Sequence, residues 1–313
     1  RPRLIGRSLH RGARTDQIGI VRFFKDLLQK PGRPHLDRME YEQLRARDDA
    51  AFRRFCGVPK PTFQAMLEVL EQAEAGKKVG RPNKLSLPDQ LLLALSYWRE
   101  YRTLFHIAAD YALHESTAQR IVCRVEDRLL ASGRFTLSPR DTLLEEGPRI
   151  ALVALDATEC PVEGLKKTAS TLQWQEKTAH EQGQLMIEPD SARVLSTAFG
   201  PGRTHDLRLC REHLPCWCEQ TVCLADSGYQ GLERVHANTL VPYKARQGKP
   251  LQAWQKRFNR SLARMRIRVE HVIGALKRFR LVAERYRGRR RRFGLRFNLI
   301  AGLYNHGLTL RSD

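Results

Sequence analysis

The chain has 313 residues, of which 55 are Lys or Arg and 34 are Asp or Glu, so its formal net charge is +21 at pH 7. This excess favours a polyanionic partner, most often nucleic acid and less often an anionic membrane, and a neutral metabolic enzyme has no need of it. No uncharged apolar run approaches the ~18 residues of a transmembrane helix, and the first ten residues lack the apolar stretch of a signal peptide, which favours a cytoplasmic or nucleoid protein.

Residues 1–38 are basic, rich in Gly and Pro and mostly without periodicity. From Met39 to Gly80 the apolar residues follow the period of an α-helix, and a break at 57–61 divides this segment into two predicted helices. We therefore expect 1–38 to be a poorly organised extension and the folded protein to begin near residue 39.

Residues 86–131 form a second helical set. The pattern predicts a buried helix over 91–98 and a short helix over 103–111. After a turn at 113–115, the sequence Ser-Thr-Ala-Gln at 116–119 has the form of a capping box that begins a third helix. The segment 39–131 is thus predicted to be an all-helical domain.

The third helix of this set is apolar on one side. Its opposite side carries Thr117, Arg120, Arg124 and Arg128. This pattern fits a helix-turn-helix whose last helix enters a DNA major groove, and it fits a plain three-helix bundle with a solvated basic face equally well. The net charge favours the DNA-binding interpretation.

A segment with several Gly and Pro residues, 132–149, is expected to link this domain to a second one. The run 150–155 is continuously apolar, as in a strand buried on both faces. Further strands are predicted at 193–199, 221–225 and 240–242, and long helices at 250–283 and 292–308. The fold class predicted for 150–308 is α/β.

Two aspartates directly follow predicted strands. Asp156 comes after the run 150–155, and Asp226 comes after the strand at 221–225. Ligands bind at the carboxyl ends of strands in open α/β sheets, and a carboxylate there is costly unless it is paired, hydrogen-bonded or bound to a metal. A single Asp in this position more often caps a turn or a helix. For two such residues, a shared metal ion and two separate caps are equally good explanations.

Glu270 is one of only two acids among 15 Lys and Arg residues between Lys256 and Arg292. On a helical projection it shares a face with Arg266 and Lys277, at the edge of the apolar side. An i,i+4 ion pair with Arg266 on the surface is one explanation. The basic run itself alternates with apolar residues, so we expect it to fold as a phosphate-binding rim rather than a solvated tail.

Several separated segments carry a resemblance to a known family. They are 155–159, 201–207, 225–231, 258–260, 266–271 and 289–302. In these segments the chain resembles the DDE transposases of bacterial insertion sequences, of the insertion-sequence-five family with its Harbinger-like relatives, over roughly 60–308. The family signature Tyr-x2-Arg-x3-Glu-x6-Lys is present as Ala263, Arg266, Glu270 and Lys277, so that Ala replaces the Tyr and the other three residues match.

The resemblance implies an RNase H-like catalytic domain with Asp156, Asp226 and Glu270 as the catalytic, metal-binding triad. Its cofactors would be two Mg²⁺ ions, with Mn²⁺ as a substitute. Carboxylates suit such hard ions, and two ions can activate the attacking hydroxyl and stabilise the leaving oxygen. The implied activity is that of a transposase that binds terminal inverted repeats, cuts there and joins the 3′ end to target DNA. Holding two DNA ends implies a homodimer or a higher oligomer.

Other residues would support the implied triad. Arg266 and Lys277 are expected to contact phosphates or to steer Glu270, and His205 and Asp206 match a family motif near the active site, with a structural His–Asp pair as the alternative. A loop at 287–292 is expected over the DNA backbone. Its DNA-binding residues would be Arg289, Arg290, Arg291 and Arg292.

Two other functions remain open on the sequence. One is a domesticated or inactive transposase that acts as a DNA-binding regulator, and the presence of all three acids weakens this alternative. The other is an RNase H-like nuclease that hydrolyses DNA without strand transfer.

Overall fold

A computed structural model of the chain describes residues 40–75, 83–137, 150–163, 179–202, 204–213, 220–245 and 247–312. All of these residues belong to one compact unit that spans 39–313. The expected extension 1–38 and most of the expected link 132–149 lie outside the described residues. None of the helices in the described ranges has the length and apolarity that crossing a bilayer requires.

Six helices precede the sheet in these ranges. They span Tyr41–Arg45 (α1), Asp49–Cys56 (α2), Lys60–Ala75 (α3), Leu87–Glu100 (α4), Leu104–Asp110 (α5) and Glu115–Ala131 (α6). The segment predicted to hold two helices, 39–80, holds three, because the side chain of Asp48 accepts a hydrogen bond from the amide of Ala51 and begins a new helix there. The predicted break at 57–61 is confirmed, since α2 ends at Gly57, which has a φ of 84°.

Helices α4, α5 and α6 form the predicted helix-turn-helix set. Each begins at a residue whose side chain accepts a hydrogen bond from a nearby backbone amide, namely Ser86, Thr103 and His114. The sequence put the start of α6 at a capping box beginning with Ser116. That position was wrong by two residues, because the ring of His114 accepts from the amide of Ser116 and so caps the helix. The apolar side of α6 is buried as expected, at Ala118, Ile121, Val122, Val125 and Leu129.

Five strands form one mixed sheet in the order β3-β2-β1-β4-β5. They span Leu152–Val162 (β1), Ala179–Glu188 (β2), Arg193–Pro201 (β3), Val222–Leu224 (β4) and Thr239–Leu240 (β5). The first three are antiparallel, while β4 and β5 run parallel to β1. This is the RNase H-like mixed-sheet arrangement behind an all-helical domain, and it confirms the predicted fold class.

Strand β1 is longer than the sequence indicated. The apolar run placed Asp156 after the end of the strand, whereas the structure places it inside β1, which continues to Val162. The continuation is polar in part, yet it pairs residue by residue with β2, from Ala154 with Ile187 to Val162 with Ala179. Strand β2 was not predicted, because its polar residues hide the period of a strand.

Four helices cover the sheet in the described ranges: Asp206–His213 (α7), Ala253–Leu276 (α8), Arg280–Ala283 (α9) and Phe293–Ser312 (α10). The single helix predicted over 250–283 divides into α8 and α9. Side chains of α8 and α10 share one core with Ala154 and Leu185, and Cys210 of α7 belongs to the core on the other face with Leu155. Helix α7 was not predicted, because it is short and follows a loop rich in Gly and Pro.

Buried charges join the helical domain to the part of the chain that carries the sheet. Glu126 on α6 is fully buried, and its carboxylate accepts hydrogen bonds from Arg292 at 2.8 Å, Arg296 at 2.7 Å and the indole of Trp98 at 3.1 Å. Close backbone contact also occurs at Gly302 on α10, where a Cβ would lie 2.0 Å from the carbonyl oxygen of Phe135. Only glycine fits at this position.

Candidate active site

Asp156 and Asp226 lie at the same level of two neighbouring parallel strands. The last paired residues of β1 and β4 are Ala154 and Leu224, so each aspartate lies two residues further along its own chain segment. Neighbouring strands are about 4.8 Å apart. The structure therefore brings these two predicted site residues together where β4 ends beside the middle of β1.

The carboxylate of Asp156 is mostly buried, with 13% of the side chain exposed. Its Oδ1 accepts a hydrogen bond of 3.1 Å from the guanidinium of Arg266 and one of 3.0 Å from the amide of Ala157. Burial raises the pKa of Asp156, Arg266 acts in the opposite direction, and the negative charges of Asp226 and Glu270 raise the pKa further. The ionised form of Asp156 therefore requires a positive partner.

Glu270 lies one helical turn after Arg266 on α8, and its side chain is exposed. Because Arg266 contacts Asp156 and the charge of Glu270 acts on the Asp156 carboxyl, both α8 residues lie on the side of the helix towards Asp156. In the described part of the chain, the ion pair of Arg266 is with Asp156 and not the i,i+4 pair with Glu270. Lys277 is the C-cap residue of α8, and its side chain is exposed. Burial raises the pKa of Cys160 on β1, and the positive charge of Lys277 acts in the opposite direction.

Asp206 is a further acid beside Asp226. Oxygens of Asp206 and Asp226 lie 2.5 Å and 3.0 Å from the place that a Cβ on Gly228 would occupy, so the chain needs glycine there. Gln182 of β2 donates a hydrogen bond to Asp206. Burial raises the pKa of Asp206, and the negative charge of Asp226 raises it further.

His205 differs from Asp206 in its contacts. It is exposed, and its Nδ1 accepts a hydrogen bond of 3.3 Å from the amide of Leu207 at the start of α7. Of the two neighbours, Asp206 is thus the one whose side chain lies against Asp226. Near Asp206 and Asp226, Gln184 donates a hydrogen bond of 3.0 Å to the hydroxyl of Tyr229, whose ring is fully buried.

The chemistry of these side chains fits a divalent ion, although the described residues do not bring three His, Cys, Asp or Glu side chains close enough to hold one in this conformation. Arg266 provides the positive charge beside Asp156. Carboxylate oxygens are the donors that Mg²⁺ takes, and Mg²⁺ binds through few protein ligands while it keeps waters and substrate oxygens. Arg266 Nε and Thr158 Oγ1 are buried without a hydrogen-bond partner in the described ranges, and Thr158 shares a strand face with Asp156.

The basic residues predicted on α6 divide into two groups. Arg120 is exposed and Thr117 is half-buried at the start of the helix. Arg124 instead donates to Gln90 at 2.7 Å, and Arg128 pairs with Glu74 at 2.6 Å, so these two also hold the domain together. The first turns of α6 therefore present polar side chains to solvent, and these include Ser116 and Gln119, which the helical pattern alone did not single out.

The arginines at 289–292 lie beside the helix-turn-helix. Arg289, Arg291 and Arg292 line a cleft of about 490 Å³ together with Gln119 and Thr103 of the helical domain. Arg290 lies 3.6 Å from Glu181. Arg292 pairs with Asp127 at 3.1 Å in addition to Glu126, so part of its charge is already neutralised within the protein.

Sequence reasoning also missed Gln182, which holds Asp206. The signal was weak, because a lone Gln in a polar segment has no period or spacing that marks a site. Only the pairing of β2 with β1, which sets Gln182 opposite Glu159, brings it near the acids.

Two family models match the chain. Residues 155–305 match a model described as a DDE superfamily endonuclease, and residues 83–135 match a helix-turn-helix of DDE superfamily endonuclease. Among curated proteins, the chain is 39% identical over 276 residues to a probable transposase for insertion sequence element IS702 of Microchaete diplosiphon, with 88% of this chain and 100% of that protein covered. It is 26% identical over 236 residues to a putative transposase for insertion sequence element IS112 of Streptomyces albus G, with 74% and 84% covered.

Two solved structures share a remote similarity with the chain. A Mos1 transposase paired-end complex with left transposon end aligns with a TM-score of 0.26 and 13% identity over 77% of this chain and 81% of that chain. A Mos1 mariner paired end complex with Mn aligns with the same TM-score and identity over 95% of both chains. Similarity at this level is too remote to locate individual site residues.

Proposed function

Since this chain belongs to the DDE superfamily of insertion-sequence transposases, we propose that it binds the terminal inverted repeats of a mobile element and cuts and joins DNA through Asp156, Asp226 and Glu270. Within the superfamily we assign it to the insertion-sequence-five, Harbinger-like group on its Arg266, Glu270 and Lys277 signature. The DNA-binding part is 39–131, with its helix-turn-helix at 86–131, and the catalytic part is 150–308.

The shared level of Asp156 and Asp226 on parallel strands is the observation that carries this proposal. Asp156 and Asp226, with Glu270 on helix α8, carry three negative charges that the single guanidinium of Arg266 does not balance. The charges of Asp226 and Glu270 both act on Asp156. A bound divalent cation would balance the remaining negative charge.

Asp156, Asp226 and Glu270 would hold the two metal ions. When bound, two Mg²⁺ ions, or Mn²⁺ in their place, supply the positive charge that activates the attacking water or 3′-hydroxyl and stabilises the leaving oxygen. Arg266 neutralises Asp156 before the metal binds. The amide of Gly228 donates a hydrogen bond of 2.7 Å to Asp226 and so orients it, and Gln182 holds the neighbouring Asp206.

DNA would be held by both halves of the chain. Thr117 and Arg120 face the major groove from the start of α6, and Arg289, Arg290, Arg291 and Arg292 bind phosphates next to them. Arg124 and Arg128, which the sequence also marked as DNA-binding, are instead held by Gln90 and Glu74 within the helical domain. In this proposal Lys277 and His205, both exposed, contact phosphates of the bound strand. Two DNA ends held together require a homodimer or a higher oligomer, acting at the nucleoid in the cytoplasm.

Cleavage by an Asp226→Ala variant tests the proposal. We expect the variant to lose nicking of DNA that carries the element's ends and to retain its affinity for the same DNA. An Asp190→Asn variant is the matched control, because Asp190 is also acidic but is 77% exposed in the β2–β3 turn. Cleavage by Asp226→Ala at the wild-type rate would show that Asp226 is not catalytic and would contradict the proposed triad.

A strand-transfer assay separates the proposal from hydrolysis alone. The substrate carries a pre-cut 3′ end together with a supercoiled target, so that joining is measured without the first cut. A transposase joins the two molecules, whereas a nuclease without strand transfer only degrades them.

A further inference from the structure

Three aromatic side chains form a cluster where α8 begins, which we call the aromatic ledge: Tyr243, Trp254 and Phe258. The ring of Tyr243 lies 5.1 Å from Trp254 and 5.3 Å from Phe258, centroid to centroid, in edge-to-face contacts. Yet 49% of Trp254 and 41% of Tyr243 remain exposed. Exposed aromatic clusters on a protein surface usually mark a binding site.

Hydrogen bonds hold the ledge in place. The side chain of Asn259 accepts from the amide of Tyr243 at 2.9 Å and donates to its carbonyl at 3.0 Å, which ties the loop to α8. The indole of Trp254 donates to Gln252 at 2.6 Å. The rings are thus fixed before any ligand arrives, and a ligand does not bear the cost of ordering them.

A cleft of about 600 Å³ lies beside the ledge. Tyr243 and Phe258 line it together with Lys244 and Lys249, and Glu233 is the acidic member of its lining. Aromatic faces bordered by cations suit a flat, uncharged ring carried on a negative backbone, which is the chemistry of a nucleotide in a single strand.

The ledge is a close neighbour of the candidate active site. Leu224 of β4 pairs with Leu240 of β5, so Asp226 and Pro242 each lie two residues beyond this pair, and Tyr243 follows Pro242 directly. Gln230, four residues after Asp226, donates a hydrogen bond of 2.9 Å to the carbonyl of Pro242. The segment that carries Asp226 is therefore tied to the ledge.

Helix α8 sets the distance between the aromatic ledge and the residues Arg266 and Glu270 of the candidate active site. Phe258 precedes Arg266, the partner of Asp156, by eight residues, which is about 12 Å along a helix. Glu270 lies about 18 Å from Phe258 on the same scale. Even at the duplex rise of about 3.4 Å per nucleotide, these lengths span no more than roughly five nucleotides, and an unpaired strand, which can extend further per nucleotide, needs fewer.

We propose that the aromatic ledge stacks on an unpaired base of the DNA strand bound in the candidate active site, within about five nucleotides of the bond that is cut. This proposal rests on the proposed function for the strand and for the bond. A base in a duplex hides both faces in its stack, so the ledge binds only where the strands are separated. Stacking on one such ring strengthens binding roughly tenfold.

Binding of the full chain to two DNA probes tests the proposal, in EDTA so that no cleavage intervenes. One probe is a blunt duplex, and the other is the same duplex with a five-nucleotide single-stranded flank. We expect the wild type to bind the flanked probe about tenfold more tightly. A Trp254→Ala variant loses this gain and keeps its affinity for the blunt duplex, while Trp254→Phe keeps most of the gain.

Two controls make the result specific. Lys256→Ala removes an exposed cation two residues from Trp254 and should weaken binding of both probes by the same factor. Tyr243→Ala, which removes the ring that contacts both others, should reproduce Trp254→Ala. An unfolded variant is recognised by loss of affinity for the blunt duplex.

Each other outcome has a meaning. If the wild type binds both probes equally, the ledge proposal fails and the proposed function stands. If the wild type binds neither probe, the proposed function fails first. If Trp254→Ala changes the oligomeric state and leaves the gain from the flank intact, the ledge is a protein interface and the proposal is overturned.

Discussion

The guanidinium of Arg266 on helix α8 donates a hydrogen bond of 3.1 Å to the carboxylate of Asp156 on strand β1. These residues are 110 positions apart in the sequence, and 21% and 13% of their side chains are exposed. The pair connects the central strand to the helix that carries Glu270. It also means that a cation is present beside Asp156 before any metal binds.

We expect Arg266→Ala to lower the free energy of unfolding by about 1–3 kcal/mol in EDTA, because the mostly buried Asp156 loses its charged donor. Added Mg²⁺ or Mn²⁺ should raise the melting temperature of this variant more than that of the wild type, since an ion that binds only the folded state stabilises it. Thermal unfolding with and without metal measures both effects.

Arg268→Ala is the control for Arg266, because it lies on the same helix with 61% of its side chain exposed and its partner Asp190 is 77% exposed. Its effect should stay within about 0.5 kcal/mol. If metal leaves the melting temperature of wild type and Arg266→Ala unchanged, Asp156 does not take part in a metal site.

Glu126→Gln should lower the free energy of unfolding by about 3–5 kcal/mol, because it leaves Arg292 and Arg296 without their buried negative partner. Denaturant titration measures this loss. Asp127→Asn, next in the chain but 57% exposed, should cost far less, and equal losses in the two variants would contradict a structural role of the buried network.

Arg120→Ala should weaken binding to duplex DNA and reduce the slope of log affinity against log salt concentration by about one unit, as expected for one lost phosphate contact. Arg128→Ala should leave that slope unchanged and lower the stability, because Arg128 pairs with Glu74 within the helical domain. Salt-dependent binding and thermal melting of the two variants separate these roles, and a lower slope for Arg128→Ala would show that its pair opens on DNA.

Stability should fall on mild acidification through His306. Burial lowers the pKa of this residue, and nearby Arg134 lowers it further, while its ring contacts Thr62 at 3.2 Å and Phe135. The unfolded chain then binds more protons than the folded one, so the contribution of His306 is present above about pH 6.5 and is lost as the pH falls below it.

Melting temperatures between pH 5 and 8 measure this effect. His306→Gln should flatten the fall. Identical curves for the wild type and His306→Gln would show that other groups dominate acid unfolding.

Sequence patterns predicted the helix-turn-helix and marked Asp156 and Asp226 beside the apolar runs of β1 and β4, because both features depend on local regularities: the period of α6 and those apolar runs. They failed where the structure depends on distant partners. The charge pattern of α6 cannot tell Arg120, which is exposed, from Arg128, whose partner Glu74 is 54 residues away. Likewise, nothing local joins Gln182 to Asp206 or marks the polar continuation of β1 beyond Asp156.

The buried contacts of Glu126 have a consequence for where the chain would cut. They fasten α6 to α10, so the helix proposed to read bases and the segments that carry Asp156 and Asp226 belong to one compact unit. If the chain cuts DNA as proposed, this unit would fix the number of base pairs between the sequence that α6 recognises and the bond that is broken. A DNA end with one base pair inserted between those two points would be cut one step away from its natural terminus.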